Sequence, residues 1–171
     1  FVLLLDVGDQ YDPDADYLLS YALMGPASAS NISKNARPRV ALLSGLLGAD
    51  LQPEPIGVAT ERLTEIDHLE CIGTIGGHAI TQGAADVIVC AGGVGDIVTG
   101  LLAGVGAVAR HLATSFKDQG LRKRIAFQTI GKEFEDITRI TDWKEYGGAP
   151  LLGYNRPIIV TDPEASAGAI E

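Results

Sequence analysis

Residues 85–112 read ADVIVCAGGVGDIVTGLLAGVGAVARHL, and this stretch is the most informative about the fold. A short apolar run at 86–90 is followed by a glycine-rich turn at 92–95 and then by a segment with apolar residues every three or four positions. That pattern predicts a buried strand, a tight turn and an amphipathic helix. A glycine turn that leads into a helix can hold phosphate, because free backbone N–H groups converge there with the positive end of the helix dipole.

Other apolar runs predict strands at residues 1–5, 39–45, 69–75 and 157–160. Helical segments alternate with these runs: one starts near Pro13 and is interrupted at Gly25-Pro26, and others cover about 56–66 and 121–143. Alternating strands and helices predict an α/β protein whose mostly parallel sheet is covered on both faces, a three-layer α/β/α fold. We expect residues 1–171 to form a single domain.

The predicted helix after the glycine turn carries one apolar stripe. We call it the α4 stripe, and its spacing predicts a helix face buried in the core. Its members are Ile97, Leu101, Val105, Val108, Leu112 and Phe116. Small residues, Gly100, Gly104 and Ala107, lie along the same helix and would allow another helix or strand to approach closely, either within the chain or at a subunit interface.

Composition excludes several function classes. The chain has 13 Lys and Arg against 22 Asp and Glu, a formal charge of −9, so nucleic acid is not expected as a partner. No uncharged apolar run is long enough to span a bilayer, and we expect a cytoplasmic protein with no integral membrane segment. Cys71 and Cys90 lie in apolar runs and are interpreted as buried thiols in a reducing compartment. No metal site and no cofactor are expected. The first residues form an apolar strand without Met or a signal peptide, so we expect a missing upstream part.

Three side chains are candidates for chemistry on the residues alone. Asp96 follows the glycine turn, where we expect it to cap the helix and to repel a bound phosphate. His78 follows a Gly-Gly pair and could serve as an acid or a base, or lie inert on the surface. Cys90 ends a strand beside a helix N-terminus, which would favour a nucleophile, although its apolar run favours a core thiol.

Several separated blocks together resemble one known family. They are FVLLLDVG at 1–8, PRVALL at 38–43, CIGTI at 71–75, ADVIVCAGGVGDIV at 85–98 and YGGAPLLGYNRPII at 146–159. In order and spacing they are similar to the C-terminal half of the phosphate acyltransferase of phospholipid synthesis, over nearly the whole chain. A related subunit works in glycine and betaine reductase complexes, where an acetyl group ends on phosphate.

The resemblance implies a fold, a reaction and partners. The fold would be that of the phosphate acetyl- and butyryltransferases, an isocitrate dehydrogenase-like α/β/α sandwich. The reaction would move an acyl group from acyl carrier protein or acyl-CoA to inorganic phosphate, giving an acyl phosphate. The catalytic candidates are then Asp96 and His78. The ligand-binding candidates are Gly8, Asp9, Gln10, Ser44, Gly92, Gly93 and Gly95.

The departures from the family pattern favour an alternative. Ala91 and Asp96 stand where the family has Asp and Asn, and no Lys or Arg lies between Arg39 and Arg62 or between Arg62 and Arg110. The strand-end loops are therefore short of the positive charge that phosphate and a developing oxyanion need. The alternative is a catalytically degenerate homologue, a structural subunit of an acyl-transfer or reductase complex. Under either reading we expect a homo- or hetero-oligomer.

Overall fold

A computed structural model describes residues 1–8, 12–45, 53–118 and 148–161. The chain forms two compact units, residues 1–95 and 96–171, and each is described by itself. The described elements are, in chain order, β1 (Leu3–Asp6), α1 (Ala15–Ser33), β2 (Arg39–Leu43), α2 (Glu54–Thr64), β3 (Glu70–Ile75), α3 (His78–Thr81), β4 (Val87–Cys90), α4 (Val94–Asp118), β5 (Ala149–Pro150) and β6 (Ile159–Val160).

The first unit is built on a four-stranded parallel sheet with the strand order β1-β4-β2-β3. In β4, Ile88 lies opposite Leu4 of β1 on one side and opposite Ala41 of β2 on the other. Every residue of β4 is buried, as expected for the central strand of a parallel sheet. The four strands predicted for this unit are confirmed, and so is their parallel arrangement.

Helices cover both faces of this sheet. α1 packs on β1, β2 and β4, and α2 packs on β3 and on α1. On the opposite face, Ala41, Ala85 and Ile88 form a buried cluster, and Ile80 of α3 packs against it. The predicted three-layer α/β/α fold is therefore confirmed.

α1 corrects one prediction, because it continues through Gly25 and Pro26 and ends only at Ser33. The proline removes one N–H donor but leaves the buried face of the helix intact. That face consists of Leu18, Ala22, Gly25 and Ala29, at spacings of three or four residues. A Cβ at Gly25 would lie 2.5 Å from Val87 Cγ1 and 2.9 Å from Leu5 Cδ1, so α1 lies too close to the sheet at this position for any side chain.

At the amino ends of the strands, Asp86 and Arg39 form a clamp between β4 and β2. Asp86 Oδ2 accepts hydrogen bonds from the Arg39 backbone N–H at 2.8 Å and from Arg39 Nε at 3.1 Å, and Asp86 Oδ1 accepts one from Nη2 at 3.0 Å. Asn35, just after α1, donates to the same carboxylate at 3.3 Å. Hydrogen bonding to Arg39 lowers the pKa of Asp86. The clamp ties two strands and the end of α1 together.

In the second unit, the α4 stripe corrects another prediction. Its described side chains are exposed rather than buried in a core, with Ile97 71% and Leu101 68% accessible. From Asp96 onward, the buried positions among the described side chains of α4 are instead Gly106 and Ala109. A spacing of three or four residues identifies an apolar helix face but not what covers it. The side chain of Phe116 lies outside the described residues.

By length and composition alone, residues Val94–Ser115 of α4 could cross a membrane. Length and composition do not distinguish a membrane span from another apolar helix. The absence of an integral membrane segment therefore stays a prediction.

The second unit also contains a short antiparallel pair, in which Ala149 of β5 lies opposite Val160 of β6. This confirms the strand predicted at 157–160. A Cβ at Gly148 would lie 2.6 Å from Ile159 Cγ2 and 2.8 Å from Val160 O, so a glycine is needed where the two strands meet. The helix predicted at 121–143 lies outside the described residues.

Candidate functional site

The candidate site lies at the carboxyl ends of the parallel strands, where open α/β sheets bind their ligands. Asp6, the last residue of β1, is opposite Cys90, the last residue of β4. The loop that contains Gly8 therefore follows a strand adjacent to the one that leads into the glycine turn. Ser44 follows β2 on the other side of β4; it is buried, and its N–H donates to Ile75 O at 2.9 Å. The strand order thus brings Gly8, the glycine turn and Ser44 to one edge.

Asp6 connects two of these segments directly. Its Oδ1 accepts a hydrogen bond from the Gly8 N–H at 2.8 Å, and its Oδ2 accepts one from the Gly95 N–H at 2.7 Å. One carboxylate therefore joins the loop after β1 to the first turn of α4. Sequence reasoning missed Asp6 as a site residue; the available signal was an acid directly after an apolar strand and two positions before a glycine.

Gly95 has to be a glycine because of Asp6. A Cβ at this position would lie 2.8 Å from Asp6 Oδ2 and 2.9 Å from Asp6 Cβ. Gly8 and Gly93 have positive φ values of 75° and 77°, a region that strongly favours glycine. Glycine is therefore required at Gly95 by the close contact with Asp6, and it is favoured at Gly8 and Gly93 by their left-handed backbone.

The expected role of Asp96 as the cap of this turn is not what the structure shows. Asp96 is the third residue of α4, and its side chain is exposed. Within the part of the chain that the structure describes, the acid that accepts from the first turn of α4 is Asp6. The capping acid thus comes from a neighbouring strand, a contact across 89 positions in sequence that local spacing does not reveal.

His78 lies apart from the glycine turn. It is the first residue of α3, after β3, and it is exposed. In the sheet, β2 separates β3 from β4, so the structure does not bring His78 directly beside Gly92 and Gly93. Asp9 and Gln10, the other candidates of the β1 loop, lie outside the described residues.

Cys90 is a core thiol rather than a nucleophile. It is buried, and its Sγ lies 3.5 Å from Leu5 O. Burial, helped by the negative charge of Asp6 and opposed by the Gly95 N–H, raises the pKa of Cys90 to about 12. Very little reactive thiolate is therefore present at neutral pH.

Arg39 and Arg62 both form ion pairs away from this edge. Arg39 binds Asp86 at the opposite edge of the sheet, and Arg62 of α2 pairs with Asp16 at the start of α1. Among the described residues, no group of three or more His, Cys, Asp or Glu could hold a metal ion. What the described edge offers is therefore backbone N–H groups, a serine and carboxylates.

Comparison with known proteins matches this chain over its whole length. The family model "Fatty acid synthesis protein" covers residues 1–171. A "Phosphate acyltransferase" of Desulfitobacterium hafniense is 37% identical over 171 residues, covering 98% of this chain and 50% of that protein. Its counterparts in Campylobacter jejuni strain RM1221 and Helicobacter acinonychis are each 33% identical, covering 99% of this chain and 51% and 49% of their own lengths.

The chain spans about half the length of the curated relatives it matches, consistent with the C-terminal half that the sequence blocks resemble. The sheet, the glycine turn after β4 and the match over residues 1–171 lead to the same assignment: this chain belongs to the fatty acid synthesis protein family, whose matched relatives are phosphate acyltransferases.

Proposed function

We propose that the protein containing this chain transfers an acyl group from a thioester carrier, acyl carrier protein or acyl-CoA, to inorganic phosphate. A phosphate oxygen attacks the thioester carbonyl carbon, the C–S bond breaks, the thiol leaves, and an acyl phosphate forms. The observation that carries this proposal is the edge where Asp6 joins the loop after β1 to the glycine turn of α4. Backbone N–H groups at such turns hold phosphates and stabilise developing oxyanions.

The proposal assigns a role to each described residue at this edge. Gly92 and Gly93 offer backbone N–H groups beside the start of α4, and Ser44 lies after the adjacent strand β2. The N–H groups of Gly8 and Gly95 already donate to Asp6, so we assign these two glycines to the shape of the site rather than to phosphate binding. His78 and Asp96, with Asp9 and Gln10, remain proposed members of the site.

The described edge lacks one ingredient of the reaction. Among the described basic residues of the first unit, Lys34 and Arg37 lie between α1 and β2, at the amino end of that strand, and Arg39 and Arg62 are paired away from the candidate edge. Binding a reacting phosphate usually relies on positive side chains. We therefore propose that a complementary half, corresponding to the rest of the relatives' length, completes the site. We further propose a soluble, cytoplasmic protein that needs no cofactor.

The test joins this chain to the complementary half of a relative. The Desulfitobacterium hafniense relative is rebuilt with this chain in place of its matching segment, and thiol release from acyl-CoA or acyl carrier protein is followed with and without phosphate. We expect phosphate-dependent thiol release and an acyl phosphate that hydroxylamine traps, with none from the isolated 171-residue chain. A fusion that folds by its melting curve but releases no thiol would support the alternative, a non-catalytic subunit.

We also propose that the chain forms a homo-oligomer through the exposed face of α4. This face combines the α4 stripe with Gly100 and Gly104, and a Cβ at either glycine would meet nothing within 4 Å among the described residues. The small residues are therefore not explained by close packing within the described chain. An apolar face of this kind favours a protein partner.

Charge indicates how two copies would pair. Asp96 lies near the start of the exposed face, and Arg110 and His111 lie near its end. A parallel pair would place Asp96 beside its own copy, whereas an antiparallel pair places it near the basic end of the partner helix. Like charges repel and opposite charges attract, so we propose the antiparallel pair.

A further inference from the structure

Two backbone N–H groups from different loops converge on Asp6. The Gly8 N–H belongs to the loop after β1, and the Gly95 N–H belongs to the first turn of α4; their distances to the carboxylate oxygens are 2.8 Å and 2.7 Å. Converging N–H groups near the positive end of a helix are the arrangement that proteins use to bind an oxyanion. In this chain the oxyanion they hold is a side chain.

The contact is tight on both sides. The backbone at Gly95 leaves no room for a Cβ beside Asp6, and Gly95 itself is buried. The negative charge of Asp6 is also felt at its strand neighbour Cys90, where it contributes to the raised pKa of the thiol. A second anion at these N–H groups would have to displace the carboxylate or approach its charge closely.

We infer that Asp6 is a built-in anion that governs oxyanion access to the start of α4: its carboxylate holds the Gly8 and Gly95 N–H groups and keeps free phosphate away from them. Asp6 is thus a positioning residue, which acts through these two backbone groups. The inference deepens the proposed function and rests on it, because it assigns the phosphate of that reaction to the donors that Asp6 leaves open.

The test measures phosphate binding to the whole chain by the shift of its melting temperature in millimolar phosphate, with potassium chloride at equal ionic strength as the blank. We expect almost no shift for the native chain. Asp6→Asn keeps the shape and removes the charge, and it should tighten phosphate binding by about tenfold or more. Sulfate should act like phosphate, because the proposed determinant is an oxyanion.

Two matched variants separate this idea from a general effect of charge. Asp86→Asn makes the same change at the opposite edge of the sheet, where the carboxylate also accepts several hydrogen bonds, and it should lower stability without creating a phosphate response. Asp96→Asn removes an exposed acid from the same helix turn and should produce a smaller gain than Asp6→Asn. An equal gain in Asp86→Asn, or a larger gain in Asp96→Asn, would overturn the inference.

A direct measurement on the native chain keeps the inference testable even if Asp6→Asn does not fold. In the ¹⁵N-labelled protein, the amide resonances of Gly8 and Gly95 should stay in place when phosphate is added. Movement of both resonances would show that phosphate reaches these donors and would overturn the inference. Neither readout uses acyl transfer, so failure here is distinct from an inactive fusion protein.

Discussion

α1 and α4 both present an unbroken face at helical spacing, and they use it in opposite ways. The face of α1 consists of small and apolar residues that are buried against the sheet, whereas the α4 stripe is exposed along its described length. Glycines lie on both faces. At Gly25 an added Cβ would collide with Val87, and at Gly100 it would meet nothing within 4 Å.

A small residue on a helix face therefore has two distinct meanings. In α1 the glycine is required because the neighbour is already present, so its replacement should act on folding. In α4 no described residue packs against Gly100 or Gly104, so replacing either glycine with a large side chain should disturb the proposed pairing of two chains. Substitutions on the two helices test this contrast.

The largest effect is expected at the centre of the exposed face. Gly104→Leu places a branched side chain where the proposed partner helix approaches, and it should convert a dimer into monomers. Light scattering measures the mass, and circular dichroism should show unchanged helix content because no described neighbour is within reach of the new Cβ.

Thr99→Leu is the control for that experiment. Thr99 is exposed on roughly the opposite side of α4, since five residues advance a helix by about 500°. This variant should remain a dimer. Unfolding of Gly104→Leu, or loss of the dimer in both variants, would place the contact elsewhere.

In α1, the smallest possible addition should already be costly. Gly25→Ala forces a Cβ against the stiff side chain of Val87, 2.5 Å from its Cγ1, and should lower the free energy of unfolding by about 1–3 kcal/mol. Urea denaturation measures the change. A neutral or stabilising outcome would mean that α1 leaves room for a methyl group above β4.

The clamp that anchors the end of α1 gives a pH-dependent prediction. The pKa of Asp86 is lowered in the folded protein, so its pairing with Arg39 contributes stability above the unfolded pKa of about 3.9 and loses it as the pH falls through the folded value. Asp86→Asn should cost about 1–2 kcal/mol at neutral pH, and the gap to the native chain should shrink below about pH 4. Urea titrations across this range would contradict the prediction if the gap stayed constant.

The smallest effect, and of opposite sign, is expected for Gly100→Ala. Alanine favours the helix over glycine by about 1 kcal/mol, and in α4 no described atom opposes the added methyl group. The free energy of unfolding should therefore rise by up to about 1 kcal/mol, in contrast to Gly25→Ala. A loss as large as that of Gly25→Ala would show that this face of α4 is covered.

Much of the sheet was predictable from sequence, because a short continuous apolar run that ends in a glycine turn, such as 86–90, is typical of a buried strand. The course of α1 was not, because Gly25-Pro26 is a strong local stop signal and only tertiary packing shows that the helix face continues beyond it. The exposure of the α4 stripe was not predictable either, since periodicity does not name a partner.

The sequence predicted which loops form the candidate site, but not the hydrogen bonds that join them. Glycines after β1 and β4 mark the edge, and adjacent strands place them side by side. The acid beside them was assigned to Asp96 because Asp96 follows the turn in sequence. The contact from Asp6 to Gly95 depends on the order of strands in the sheet, which a single sequence does not reveal.

That strand order also has a kinetic consequence. Because β4 lies between β1 and β2, β1 pairs with neither β2 nor β3. Leu3 of β1 pairs with Val87 of β4, which is far along the chain. The ribosome therefore has to synthesise β4 before β1 has a strand beside it. Such a non-local closure slows folding and leaves the early apolar strand without its neighbour during synthesis. β4 and the glycine turn after it therefore complete the candidate site, and β4 also joins β1 to the rest of the sheet. A chain interrupted before Cys90 would lack the complete site and the complete sheet.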